Sequence, residues 1–239
     1  MTETTMTTKT APNRLLALWN SVIGKKVVMA VTGAVMVLFV IVHMLGNLKL
    51  FSGPEEINAY SRFLREIGWP EFGYSELLWA VRTVLLSCAV LHITAATQLT
   101  RISWQARPVA YEEKKNVETT WAALIMRWSG VLLIVFVVFH IFHLSGGMVG
   151  FKPGQFQHLT VYQNVVAAFS NWPISIFYIL SMVALGFHLD HGIWSMFQTM
   201  GWVTVENTRA WRAVSRVVAV LIFAGFVSVP ISVLAGWVR

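Results

Sequence analysis

The chain has 239 residues, of which 56% are hydrophobic and only 12% charged. A soluble globular domain carries about twice that charged fraction, which excludes a water-soluble enzyme, a disordered protein and a coiled coil. The net charge of +7 accompanies long apolar runs, so it reads as Lys and Arg placed beside a membrane, and no nucleic-acid partner is expected. Residues 1–22 form a polar segment containing Pro12. No apolar core precedes Ile23, so this segment is not expected to be a cleaved signal peptide. Five spans follow, at about 26–50, 77–100, 125–150, 172–197 and 213–238, each long enough for a tilted transmembrane helix. Alternating strand patterns are absent, and a membrane span must satisfy its own backbone hydrogen bonds. The expected fold is therefore an all-α integral membrane protein, one domain over 1–239 built as a five-helix bundle. The single cysteine, Cys88, excludes an intrachain disulfide, a covalent CxxCH haem attachment and a cysteine-ligated metal cluster.

The basic residues set the expected orientation. Twelve of the 18 fall in the N-terminal segment (Lys9, Arg14, Lys25, Lys26), the second loop (Arg101, Arg107, Lys114, Lys115, Arg127) and the fourth loop (Arg209, Arg212, Arg216). The positive-inside rule puts that side, with the N-terminus, in the cytoplasm and the C-terminus outside the inner (cytoplasmic) membrane.

Seven histidines are the unusual feature, six of them in or beside the spans. An ionisable residue within a membrane is costly and is a functional candidate. Depth sorts them. His43 lies 17 residues past Lys26 and His140 lies 13 past Arg127, which puts both in the outer half of the bilayer. The second and fourth spans run the other way. His92 lies nine residues before Arg101 and His188 ten before Gln198, which puts both in the inner half. The first and third spans also repeat one another. Gly33 precedes His43 by ten residues through an apolar run, and Gly130 precedes His140 in the same way. That alignment selects His140 over His143, because Gly46 falls opposite His143.

Two imidazoles on facing helices in a low-dielectric bundle suit the axial positions of a b-type haem. Two pairs at two depths imply two haems, His43 with His140 on the outer and His92 with His188 on the inner. Gly46, Ala95, Ala96, Gly146 and Gly192 are the small residues expected to let the helices close around a flat macrocycle. His143 and His191 each stand three residues past a ligand and are expected to support the ligands or to hydrogen-bond between helices. Four unrelated interhelical histidines would leave both the depth match and the repeat unexplained. Histidine-rich di-iron sites need more histidines, usually with carboxylates, and only Asp190 is close by.

These motifs together resemble the di-haem cytochrome b membrane anchor of succinate:quinone oxidoreductases, the single-chain, five-helix membrane component of succinate dehydrogenase or fumarate reductase. The resemblance runs from about Val22 to Val238. It is carried by the runs ending at His43 and His140, by His92 ahead of Arg101 and Ala106-Arg107-Pro108, and by Phe187-His188-Leu-Asp-His191-Gly192 with Gly201 downstream. It implies a flavoprotein and an iron–sulfur subunit as partners, with dicarboxylate chemistry on the flavoprotein. It implies electron transfer to or from a membrane quinone, with menaquinone favoured. Some di-haem fumarate reductases carry an acid two residues before the fourth-span ligand, and Gly186 stands there in this chain. Glu66, Trp69 and Arg82 are the quinone candidates, since a quinone needs hydrogen-bond partners and a proton source; Tyr74 and Glu76 lie beside them. Taken one by one, these residues read equally as an ordinary wet loop with interfacial aromatics. The alternatives are a cytochrome b of another quinone-linked complex, of hydrogenase or formate dehydrogenase type, and a haem-free transporter.

Overall fold

The computed structural model describes residues 14–106 and 121–239; Arg107, Lys114, Lys115 and the basic Lys9 lie outside them. Among the described residues there is no strand, and five helices are long and apolar enough to cross a membrane. The chain is a multi-pass membrane protein of all-α architecture. In order the helices are α1 (Arg14–Asn20), α2 (Val22–Leu48), α3 (Pro54–Glu66), α4 (Glu76–Gln105), α5 (Trp121–His140), α6 (Val161–Phe169), α7 (Trp172–Thr199) and α8 (Thr208–Leu234). A 3₁₀ turn, Lys49–Ser52, continues α2, and a π turn, Ile141–Ser145, continues α5. The spanning helices are α2, α4, α5 with its π turn, α7 and α8.

Local chemistry sets the ends. Ser21 caps α2, its hydroxyl accepting from the Gly24 amide at 2.8 Å. Gly53, at φ 102°, breaks the chain after the 3₁₀ turn, and Pro54 with Glu55 and Glu56 opens α3. Pro173 sits in the first turn of α7. Past the π turn, Gly146 follows and Gly147 takes φ 62°, so the helix stops at Ser145.

The helices pack as two hairpins and a buttress. α2 lies along α4, and α5 lies along α7, while α8 packs extensively on α7 and also on α2. α7 and α8 bury hydroxyl residues as well as apolar ones. Ser181, Ser215 and Ser232 are buried, and each returns its hydroxyl to a carbonyl of its own helix at 2.8–2.9 Å. Leu189 and Ile193 of α7 meet Ala219 and Ile222 of α8 in one apolar cluster, against which Val37, Val40, Ile41 and Met44 of α2 pack.

Between α2 and α4, and again between α5 and α7, the chain adds helices α3 and α6 at the same end of the bundle. The first of these connections is helical over Pro54–Glu66, and the stretch from there to Glu76 is made of turns. The two meet: Asn58 receives the Tyr162 amide at 3.1 Å and gives a hydrogen bond to Gln163 at 3.3 Å. α3 is seated on α2 through a glycine, because a side chain at Gly46 would lie 2.7 Å from the Tyr60 ring. Gly46 therefore receives α3. This end, with the C-terminal Arg239 near Pro54 and Tyr162, is the cap end. The opposite, basic end carries Lys25, Lys26, Arg101, Arg127, Arg209, Arg212 and Arg216.

Candidate functional site

Four helices bring the four singled-out histidines together two by two. His43 of α2 and His140 of α5 lie with ring centroids 5.9 Å apart and planes at 81°. His92 of α4 and His188 of α7 lie 6.5 Å apart with planes at 53°. The pairs are those expected from depth and repeat, and each joins one α2/α4 hairpin helix to one α5/α7 hairpin helix. Two imidazoles bound on opposite faces of one metal, at about 2.0 Å per bond, stand roughly 6 Å apart by centroid. The observed separations match that span.

The surroundings of the His92–His188 pair repeat between the hairpins. The Nδ1 of His92 faces the Met29 carbonyl at 3.0 Å and the Thr32 hydroxyl at 3.4 Å. The Nδ1 of His188 faces the Ser129 hydroxyl at 3.4 Å, and that hydroxyl bonds the Met126 carbonyl at 2.9 Å. A side chain at Gly33 would come 3.3 Å from the His92 ring, and one at Gly130 would come 3.6 Å from the His188 ring. So Met29-x-x-Thr32-Gly33 on α2 and Met126-x-x-Ser129-Gly130 on α5 are one device used twice. Each glycine of the repeat admits the histidine of the neighbouring helix, while the histidine ten residues on belongs to the other pair. An Nδ1–H held by a carbonyl fixes the tautomer and leaves Nε2 for a metal. The residues fit a bis-histidine group.

The His43–His140 pair sits among aromatics. Phe39 stacks on His43 at 5.3 Å and Phe226 of α8 stands 5.8 Å away, while Phe136 lies 5.7 Å from His140. Phe39 and Phe136 are again equivalent positions of the repeat. The Tyr178 hydroxyl of α7 lies 3.3 Å from His140 Nδ1 and 2.9 Å from His143 Nδ1. His143 is fully buried and its Nε2 has no hydrogen-bond partner among the described residues. His191 lies near the basic end beside Asp190, Trp194, Arg212 and Arg216, with the Arg212 guanidinium 4.6 Å over the Trp194 ring. Of the small residues expected near the pairs, Gly146 ends a helix and Gly192 faces Met126, whereas Ala95 is buried on α4.

The remaining candidates lie at the cap end and are exposed. Glu66 is the last residue of α3, and its carbonyl accepts the Trp69 amide at 2.9 Å. Arg82 stacks over Trp79 at 4.8 Å. A separate open groove of about 370 Å³ at this end is lined by Pro54, Tyr162, Gln163, Val166, Ala167 and Arg239 and includes none of the three.

Reasoning from sequence missed Met29, Thr32, Met126, Ser129 and Tyr178. The first four were within reach, because the Gly33/Gly130 alignment extends four residues toward the N-terminus with Met and hydroxyl residues in register. Tyr178 carries no such signal.

In comparison with known proteins, the model of the family described as succinate dehydrogenase/fumarate reductase transmembrane subunit matches residues 107–229. The matched stretch contains His140, His143, His188 and His191, but neither His43 nor His92. No curated protein and no solved structure matches the chain.

Proposed function

The chain belongs to the succinate dehydrogenase/fumarate reductase transmembrane subunit family, and from that premise we propose that it is a two-haem cytochrome b anchor of such a complex. His43 and His140 would hold one b haem and His92 and His188 the other. Bound there, each haem would supply a one-electron redox centre inside the bilayer. The chain's own residues do the rest. Met29, Thr32, Met126 and Ser129 orient the His92–His188 rings, and Phe39, Phe136 and Phe226 keep water from the other pair. The observation that carries this reading is the pairing itself: four histidines from four helices, in two cross-hairpin pairs, with ring centroids 5.9 and 6.5 Å apart.

The partners we propose are the flavoprotein and iron–sulfur subunits, docked at the basic end, with dicarboxylate chemistry on the flavoprotein. The basic end would face the cytoplasm, in the inner (cytoplasmic) membrane, and the cap end the outside. The electron partner within the membrane would be a quinone, with menaquinone favoured, handled at the cap end by Glu66, Trp69 and Arg82. Trp69 and Arg82 offer a ring and a cation near the lipid interface, and Glu66 offers an exchangeable proton.

The test is a reduced-minus-oxidised spectrum of the purified chain with each histidine changed to Ala. His43→Ala and His140→Ala are expected to remove one low-spin component, and His92→Ala and His188→Ala the other. Loss of the same component in His43→Ala and His92→Ala would refute the pairing, and a haem-free wild-type chain would refute the reading. Identifying the subunits that co-purify separates this family's complex from a hydrogenase or formate dehydrogenase type.

A further inference from the structure

The Tyr178 hydroxyl is shared by two histidines, and only one of them is assigned a ligand role. Tyr178 is 6% exposed and His143 0%, so both lie away from bulk solvent. If His140 binds a metal through Nε2, its Nδ1 carries the proton and donates to the Tyr178 oxygen. Tyr178 then has one hydrogen to give, and the acceptor 2.9 Å away is His143 Nδ1. His143 must therefore carry its own proton on Nε2, the buried atom left without a partner. Every proton in the chain from His140 to Tyr178 to His143 is thereby fixed in direction.

The fold holds the far end of this chain firmly. His143 lies in the π turn, whose wider spacing departs from the α-helical register that would otherwise relate it to His140. Phe139 and Phe151 flank its ring at 5.2 and 5.0 Å. Gly150, at φ 77°, closes the third side, where a side chain would lie 2.7 Å from the ring. A buried polar atom left unsatisfied is costly, so His143 Nε2 is a liability that packing alone does not require.

We propose that Tyr178 is the positioning residue for His140, and that His143 acts through Tyr178 by accepting its hydroxyl hydrogen. This rests on the two-haem reading above and goes beyond it. A hydroxyl that donates to His143 is a better acceptor for His140, since hydrogen bonds in a chain strengthen one another. A held Nδ1–H makes the imidazole a stronger donor to the metal and fixes its ring plane. The pair at the other level has its own partners, the Met29 carbonyl with the Thr32 hydroxyl at His92 and the Ser129 hydroxyl at His188, so Tyr178 and His143 bear on the His43–His140 pair alone.

The experiment is electron paramagnetic resonance and redox titration of the haem-loaded wild-type chain, Tyr178→Phe and His143→Phe. His140→Ala identifies which low-spin signal belongs to this pair. Phe keeps the ring of Tyr178 and removes only the oxygen. In Tyr178→Phe that one signal is expected to shift in g value and its midpoint potential to rise, while the His92–His188 signal stays unchanged. His143→Phe is expected to shift it in the same direction by less. Unchanged signals in both variants would overturn the proposal while leaving the two-haem reading intact. So would a shift confined to the His92–His188 signal, or a larger shift in His143→Phe than in Tyr178→Phe. A wild-type chain with no low-spin signal would overturn the haem reading and this inference together.

Discussion

Gly33 and Gly130 show how much rests on single residues. Each is the floor against which a histidine from the neighbouring helix lies, but the clearances differ. A methyl at Gly33 would stand 3.3 Å from the His92 ring, closer than ordinary contact, whereas at Gly130 the distance to His188 is 3.6 Å. Gly33→Ala is therefore expected to move His92 and weaken binding of the haem proposed for the His92–His188 pair, with a loss of affinity of about 10-fold or more, as for other residues that support a metal ligand. Gly130→Ala is expected to do much less. Haem retention during purification, read from the reduced spectrum, checks both. His143→Gln with His191→Gln is expected to leave both haems bound, since neither histidine belongs to a pair; loss of either low-spin spectrum would overturn that choice. At this scale the sequence was informative where position along a span carries meaning. Depth and the ten-residue repeat were enough to pair His43 with His140 and His92 with His188. Tyr178 was invisible because in an apolar helix nothing marks which face an aromatic presents, and only packing decides it.

The helices divide the work unevenly. α2, α4, α5 and α7 carry the histidines, and α8 has none, yet α8 is the element packed most extensively on α7. Its close approach to α2 depends on Gly225, where an added side chain would collide with Met44, the residue after His43. Gly225→Val is expected to push α8 away and destabilise the chain by about 1–3 kcal/mol, the usual cost of an oversized residue in a packed core. The thermal midpoint in detergent should fall, and the His43–His140 component should be lost before the other on heating. Simultaneous loss of both components would count against α8 acting locally. The five long apolar helices were legible because each run outlasts the bilayer core. α3 and α6 were not, because aromatic and polar residues in a short connection read equally well as a wet loop. In retrospect, Gly53-Pro54-Glu55-Glu56 is a helix start, with a residue free to break the chain followed by proline and acids in the first turn. The π turn after His140 leaves no mark in the sequence, since any apolar residues accommodate it.

The two ends of the molecule differ. Basic residues gather where the α4–α5 and α7–α8 connections lie, while the quinone candidates Glu66, Trp69 and Arg82 lie at the cap end with α3 and α6. Two haems at two levels, as proposed, would be needed only if the donor and the quinone are separated by much of the membrane. If the catalytic partners dock at the basic end and the quinone reacts at the cap end, each electron crosses most of the bilayer, which at 100 mV is worth about 2.3 kcal/mol per charge. Protons exchanged at the cap end would leave that charge uncompensated unless a proton path through the bundle cancels it. Gly186 offers no acid for such a path; it stands on α7 facing Phe223 of α8, 3.8 Å from where its side chain would begin. Turnover with a low-potential quinone is therefore expected to depend on membrane potential. The measurement is turnover of the whole complex in sealed proteoliposomes with and without an uncoupler. Activity indifferent to an imposed potential, or a quinone-site inhibitor bound at the basic end beside His92, would move the quinone to the same side as the donor and leave the second pair of histidines without this role.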